Sequence, residues 1–148
     1  MAHSFPTRRS SDLLVGQGAA GLAAALAAAQ AGGGIRVTLV DKAAEDEAGG
    51  NTRWSPSYMR MASVDRVEPS FVHDMLAATN YHGDETYFAT LADHAPATCK
   101  WIQAQGVEFI QPTYYLAKGP PRIQPIGGGE TIHRELTRAA REAGVAPV

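Results

Sequence analysis

Between Leu14 and Asp41 the chain spells a strand end, a glycine turn, an alanine-rich helix and a second strand. Few folds accept that order. Leu14 and Val15 read as the last residues of a buried strand. Gly16 turns the chain out of it. Gly18 lacks a Cβ, so a pyrophosphate can approach the backbone, and Gly21 lets the next helix pack closely on the sheet. That helix, Ala19 to Ala31, is mostly alanine, the residue of highest helix propensity. Its first turn offers unpaired N–H groups and the positive end of the helix dipole to an anion. Gly32-Gly33-Gly34 ends it, and Ile35 to Val40 reads as a buried parallel strand. Asp41 follows about 20 residues after Gly21, the spacing at which a carboxylate accepts hydrogen bonds from ribose hydroxyls.

A glycine-rich turn that binds nothing explains the placement of Asp41 poorly. A membrane span over Leu14 to Ala31 is too rich in Ala and Gly, and too short of the roughly 20 strongly apolar residues needed. The fold class expected is therefore α/β and Rossmann-like, an incomplete parallel sheet with flanking helices. A second loop, Gly49-Gly50-Asn51-Thr52, combines backbone freedom with short polar side chains. A simple NAD dehydrogenase has no need of it, whereas an extended FAD does. A non-redox nucleotide-binding module and an NAD(P)-dependent enzyme remain the alternatives.

The string His3 to Leu13, HSFPTRRSSDL, resembles the translation of a short-read sequencing adapter. Residues 1–13 are set aside on that ground, and 14–148 are read as part of an FAD-binding domain whose catalytic or capping domain lies outside the chain. A twin-arginine export signal at Arg8-Arg9 fails, because the apolar stretch after it already belongs to the dinucleotide unit. Without Arg8, Arg9 and Asp12 the formal charge moves from −2 to −3. No basic patch suggests nucleic acid. The composition fits a soluble, cytoplasmic protein without a transmembrane segment.

Helices are expected over Pro69–Thr79, Glu85–Asp93, Pro96–Gln105 and Thr131–Ala143, the last stopped by Gly144. Strands are expected over Val107–Ile110 and from Val145, with loop over Gln111–Pro125. The one cysteine, Cys99, reads as a small buried hydrophobe. His73, His82, His94 and His133 read as surface or helix-end residues without metal-ligand spacing. Tyr114 and Tyr115 read as packing residues, and Arg53, Arg60 and Arg122 as solvated unless a carboxylate faces them.

With GQGAAG, Asp41-Lys42 and GGNT in place, the chain resembles the FAD-binding domain of the fumarate reductase/succinate dehydrogenase flavoprotein family. Trp101-Ile102 to Gly106-Val107-Glu108-Phe109 is similar to a further segment of that family. The stretches GGNTRWSPSYMR and YYLAKGPPRIQPIGGG are closest to tricarballylate dehydrogenase-like members. The resemblance implies that Gly16, Gly18, Ala20 and Gly21 hold the pyrophosphate, Asp41 the adenosine ribose, and Lys42 the adenine side. It implies that Gly50, Asn51 and Thr52 contact the pyrophosphate and the flavin. It also implies hydride transfer between flavin N5 and a di- or tricarboxylate such as tricarballylate, with an electron-transfer partner protein. The family's catalytic Arg and His residues belong to the later capping region, so no catalytic residue and no metal is assigned and the chain alone is expected to be inactive. Asp41 replaces the commoner Glu, one methylene longer. Ser57-Tyr58 stand where many members have Gly-Gly before the methionine, here Met59. Asn51 stands where covalently flavinylated members carry histidine, so the FAD is expected to be non-covalent.

Overall fold

A computed structural model describes residues 11–32, 34–113 and 119–147. In chain order the elements are β1 (Ser11–Val15), α1 (Ala19–Gln30), β2 (Arg36–Val40), α2 (Gly50–Trp54), β3 (Met61–Ser63), β4 (Arg66–Val67), α3 (Phe71–Ala78), α4 (Glu85–Ala104), β5 (Phe109–Ile110), β6 (Gln124–Pro125), α5 (Gly128–Glu142) and β7 (Ala146–Pro147). They form two compact units. One comprises the chain up to Trp54 and the chain from Ile132; the other is Ser55–Thr131.

The first unit holds a parallel sheet in the order β1-β2-β7. Leu14 lies opposite Leu39, and Val15 opposite Val40. β1 begins at Ser11, so Ser11, Asp12 and Leu13 pair with Arg36, Val37 and Thr38. Backbone groups make that ladder, and any residue other than proline supplies them. Val37 and Leu39 of β2 are buried, as are Leu22, Ala25 and Leu26 of α1. Helix α5 adds Ile132, Leu136, Ala139 and Ala140 at helical spacing. Leu22, Leu39, Ala140 and Val145 line one small internal space, so α1, β2 and α5 meet there.

Gly144 ends α5 as expected. Its φ is +84°, its N–H donates to the Arg141 carbonyl at 2.9 Å, and Val145 N–H donates to the Ala140 carbonyl at 2.9 Å. That pair of bonds is a Schellman cap, which glycine accommodates without strain. The following strand, β7, pairs parallel with β2.

In the second unit the sequence expectation of two helices over 85–105 is corrected. Glu85–Ala104 is one helix that contains Pro96. Proline removes the bond to the Ala92 carbonyl and strains the turn before it. Phe88, Ala92, Ala95, Cys99 and Ile102 nevertheless recur at alternating spacings of four and three, and Phe88, Cys99 and Ile102 are buried. One continuous apolar stripe outweighs one missing hydrogen bond. Asp84 caps the helix by accepting from Tyr87 N–H at 3.0 Å. β5 falls within the strand expected over Val107–Ile110, whereas the hairpin β3–β4 and strand β6 were not foreseen, being two or three residues long and too short to show alternation. β6 falls inside the stretch read as loop. Cys99 is buried with Met61 and Ile123, and its thiol lies 3.5 Å from the Met61 sulfur and 3.6 Å from that of Met59. Burial pushes the Cys99 pKa up, which suits an inert packing residue.

Candidate functional site

All nine predicted cofactor residues fall in the first unit, between Gly16 and Thr52. Gly16 leaves β1 at φ +100°, and its N–H donates to the Val40 carbonyl at 2.7 Å. Glycine is needed there for its backbone angle. Gly21 is needed for space: a Cβ on it would lie 1.8 Å from the Gly16 carbonyl oxygen.

Gly18 differs from both. It is the N-cap of α1 at φ −72° and ψ 176°, a conformation open to any residue. A Cβ on it would meet only the Gly49 oxygen and Thr52 Oγ1, each at 3.6 Å, which is ordinary contact. The fold of this chain does not require a glycine at 18. A bare backbone there is open to a group approaching from outside, the role expected of Gly18 from sequence.

The segment expected as a second loop is, from Gly50 on, the short helix α2, and it lies against this turn. Thr52 Oγ1 accepts from Ala19 N–H at 3.0 Å. Gly49 is buried at φ +125°, where a Cβ would fall 2.7 Å from Arg53 Cβ and 2.9 Å from His133 Cδ2. Gly50 has φ +53° with open space beside it. Ala20, Lys42, Gly50 and Asn51 are exposed, while Gly16, Gly18, Gly21, Asp41 and Thr52 are half-buried.

Asp41 sits past the end of β2 and reaches back to the turn. Its Oδ2 accepts from Gln17 N–H at 2.7 Å and its Oδ1 from Ala43 N–H at 3.0 Å. These two donors, Gln17 first, hold the carboxyl below its usual 3.8, helped by the backbone and charge of Lys42 and opposed by partial burial. The shorter Asp side chain is thus drawn onto the glycine turn itself. A carboxylate offers about four lone-pair positions, so two N–H donors leave room for hydroxyl donors.

Three residues beside the site were not assigned a role in it from sequence. Gln17 is buried although polar, Gly49 fits where no side chain would, and His133 is buried against that glycine. For His133 this corrects the surface or helix-end reading. It lies on the same face of α5 as Leu136 and Ala140, and that period was its signal. Arg53 donates from Nη1 to the carbonyls of Asp46 at 2.6 Å and Ala48 at 3.1 Å, and its guanidinium carbon lies 5.0 Å from the Trp54 ring centroid. It binds the acidic loop to α2. Arg60 pairs with Asp74 at 2.5 Å, while Arg122 is exposed. Tyr114 and Tyr115 lie outside the described residues.

A cavity of about 470 Å³ lies within the second unit, lined by Met59, Met61, Phe71, Met75 and Cys99 among others. It contains none of the predicted cofactor residues. Among the described residues no three His, Cys, Asp or Glu side chains converge on a metal position. No helix among them is long and apolar enough to cross a membrane.

The sequence profile of a family described as FAD binding domain matches residues 12–146. The chain belongs to that family. FAD is therefore the cofactor that a domain of this family binds. The same fold recurs in E. coli quinol fumarate reductase FrdA, carrying a point mutation, with TM-score 0.71 and 17% identity over 93% of this chain and 26% of that one. It recurs in Mycobacterium smegmatis Sdh1, in the apo form with TM-score 0.65 and 22% identity over 95% of this chain and 28% of that one. In the Sdh1 structure with UQ1 the values are 0.67 and 20%, again over 95% and 28%. This chain thus spans about a quarter of the length of these solved relatives. A comparison with curated protein sequences finds no match.

Proposed function

We propose that this chain is the cofactor-binding part of a flavin-dependent oxidoreductase whose substrate is a di- or tricarboxylate such as tricarballylate. In this reading Gly16, Gly18, Ala20 and Gly21 receive the pyrophosphate of FAD, and Asp41 with Lys42 the adenosine end. Gly50, Asn51 and Thr52 form the second loop, on the flavin side. Bound FAD supplies hydride chemistry at N5; the chain binds and orients it. The observation that carries the reading is Gly18, a glycine that the empty fold does not need. The identity of the substrate rests on the GGNTRWSPSYMR and YYLAKGPPRIQPIGGG resemblance, and an electron-transfer partner on the wider family resemblance.

The test has three arms. Thermal melting with FAD, NAD and ADP is expected to show the largest shift with FAD; preference for NAD would replace the reading by a nicotinamide enzyme. Full-length protein bearing this segment is expected to be yellow and to bleach anaerobically with a tricarboxylate. Binding of FAD without bleaching by any carboxylate would leave a non-redox nucleotide module. Acid precipitation is expected to release the flavin to the supernatant, because Asn51 offers no nucleophile for covalent attachment.

A further inference from the structure

We propose that Thr52 is a positioning residue that caps α1 from the short helix α2 and thereby decides which N–H groups are left for the cofactor. An ordinary N-cap side chain accepts from the second or third N–H of its helix. Here the N-cap is Gly18, which has no side chain and makes no such bond. Any capping side chain at 18 would fill the space a phosphate needs and occupy the Ala20 or the Gly21 N–H. The cap comes instead from a residue 33 positions away, and it reaches the first helical N–H, that of Ala19, at 3.0 Å. Ala20 and Gly21 keep their N–H groups for an anion.

The same contact joins the two loops. Gly49 and Thr52 cover one side of Gly18, their oxygens 3.6 Å from where its Cβ would stand. Gly49 is held in turn by His133 and by Arg53, whose backbone N–H donates to the Gly49 carbonyl at 3.3 Å. Thr52 thus ties a loop that is already braced to a turn that must remain open. The family resemblance implies a Thr52 that acts by touching the cofactor. The hydrogen bond to Ala19 instead gives it a role before any cofactor arrives. This inference rests on the FAD reading above for its consequence, though not for the contact itself.

The experiment is residue-resolved amide hydrogen exchange on the cofactor-free 148-residue chain, paired with FAD binding by fluorescence quenching. In the unaltered chain Ala19 N–H is expected to exchange more slowly than Ala20 N–H. Equal rates would overturn the proposal without any variant. In Thr52→Val, which keeps the side-chain volume, Ala19 is expected to speed up to the rate of Ala20 while Leu39 stays protected. The FAD Kd is expected to rise about three- to tenfold, the equivalent of one lost hydrogen bond. Thr52→Ser is expected to restore both. A residue that acts only by touching FAD would change the Kd and leave Ala19 exchange unmoved, and that outcome also overturns the proposal. If no FAD binds even to the unaltered chain, the cofactor reading fails while the exchange result still decides the cap.

Discussion

At the scale of single residues, the three glycines of the turn make different demands. Gly16 answers to backbone angle, Gly21 to packing and Gly18 to neither. Gly21→Ala places a Cβ on the Gly16 carbonyl and is expected to destabilise the chain by at least about 3 kcal/mol. Gly18→Ala is expected to stay within about 1 kcal/mol of the parent, because the poorer N-cap is offset by a less flexible unfolded chain. It is expected to abolish FAD binding all the same. Urea titration and FAD titration on both variants check this; an unstable Gly18→Ala protein would remove the argument for an outside group. Asp41 carries a second prediction. Its pKa is lowered in the folded state, so its contribution is complete above the ordinary 3.8 and is lost as pH falls through the lower folded value. Asp41→Asn is expected to flatten that acid limb of stability and to cost about 1–2 kcal/mol at neutral pH, since one backbone N–H loses its acceptor. Urea midpoints from about pH 3 to 7 decide it; parallel limbs would show that Asp41 is not the group involved.

At the scale of elements, α4 shows what a buried stripe tolerates. From sequence Pro96 reads as a helix start, since the first turn is where proline is most at home, yet it lies inside α4. The stripe from Phe88 to Ile102 runs through it unbroken, with Cys99 against the sulfurs of Met59 and Met61. Pro96→Ala restores an N–H to the Ala92 carbonyl. It is expected to stabilise the chain by about 1–3 kcal/mol in urea unfolding. A loss of stability instead would mean that the proline bend is what seats Ala95 and Cys99. The two short strand pairs of this unit make the opposite point. β5 and β6 meet across the sequence, Phe109 with Pro125, and Met59 bridges to Ile123, while β3 and β4 form a local hairpin; none of these strands exceeds three residues.

At the scale of the whole molecule, the first unit leaves apolar sheet surface uncovered. Leu13 is 68% exposed and Val15 77%, at alternate positions of β1, and among the described residues β1 pairs only with β2. Open apolar edges template pairing with further chains. The isolated chain is therefore expected to associate with rising concentration in sedimentation velocity, and Val15→Lys to reduce that association. A single monomeric species at all concentrations would contradict this. The family assignment and the fold it shares with much longer solved chains stand independently of that behaviour.

The candidate site was legible where its signal is local. Turn, helix, strand and terminal acid lie within one continuous segment, and period and glycine placement report on bonds made between near neighbours. β2 and α1 came out within a residue or so of expectation for that reason. The Gly144 stop was legible too, because a Schellman cap is a property of a short run of consecutive residues, here Ala140 to Val145. The tertiary structure decided what depends on contacts across sequence distance. It turned Asp41 onto the Gln17 N–H, brought Thr52 to Ala19, buried His133 against Gly49 and carried α4 through Pro96. The contacts of Asp41 and Thr52 are written in no window of the chain, since a hydrogen bond between distant residues exists only after the backbone has closed around it.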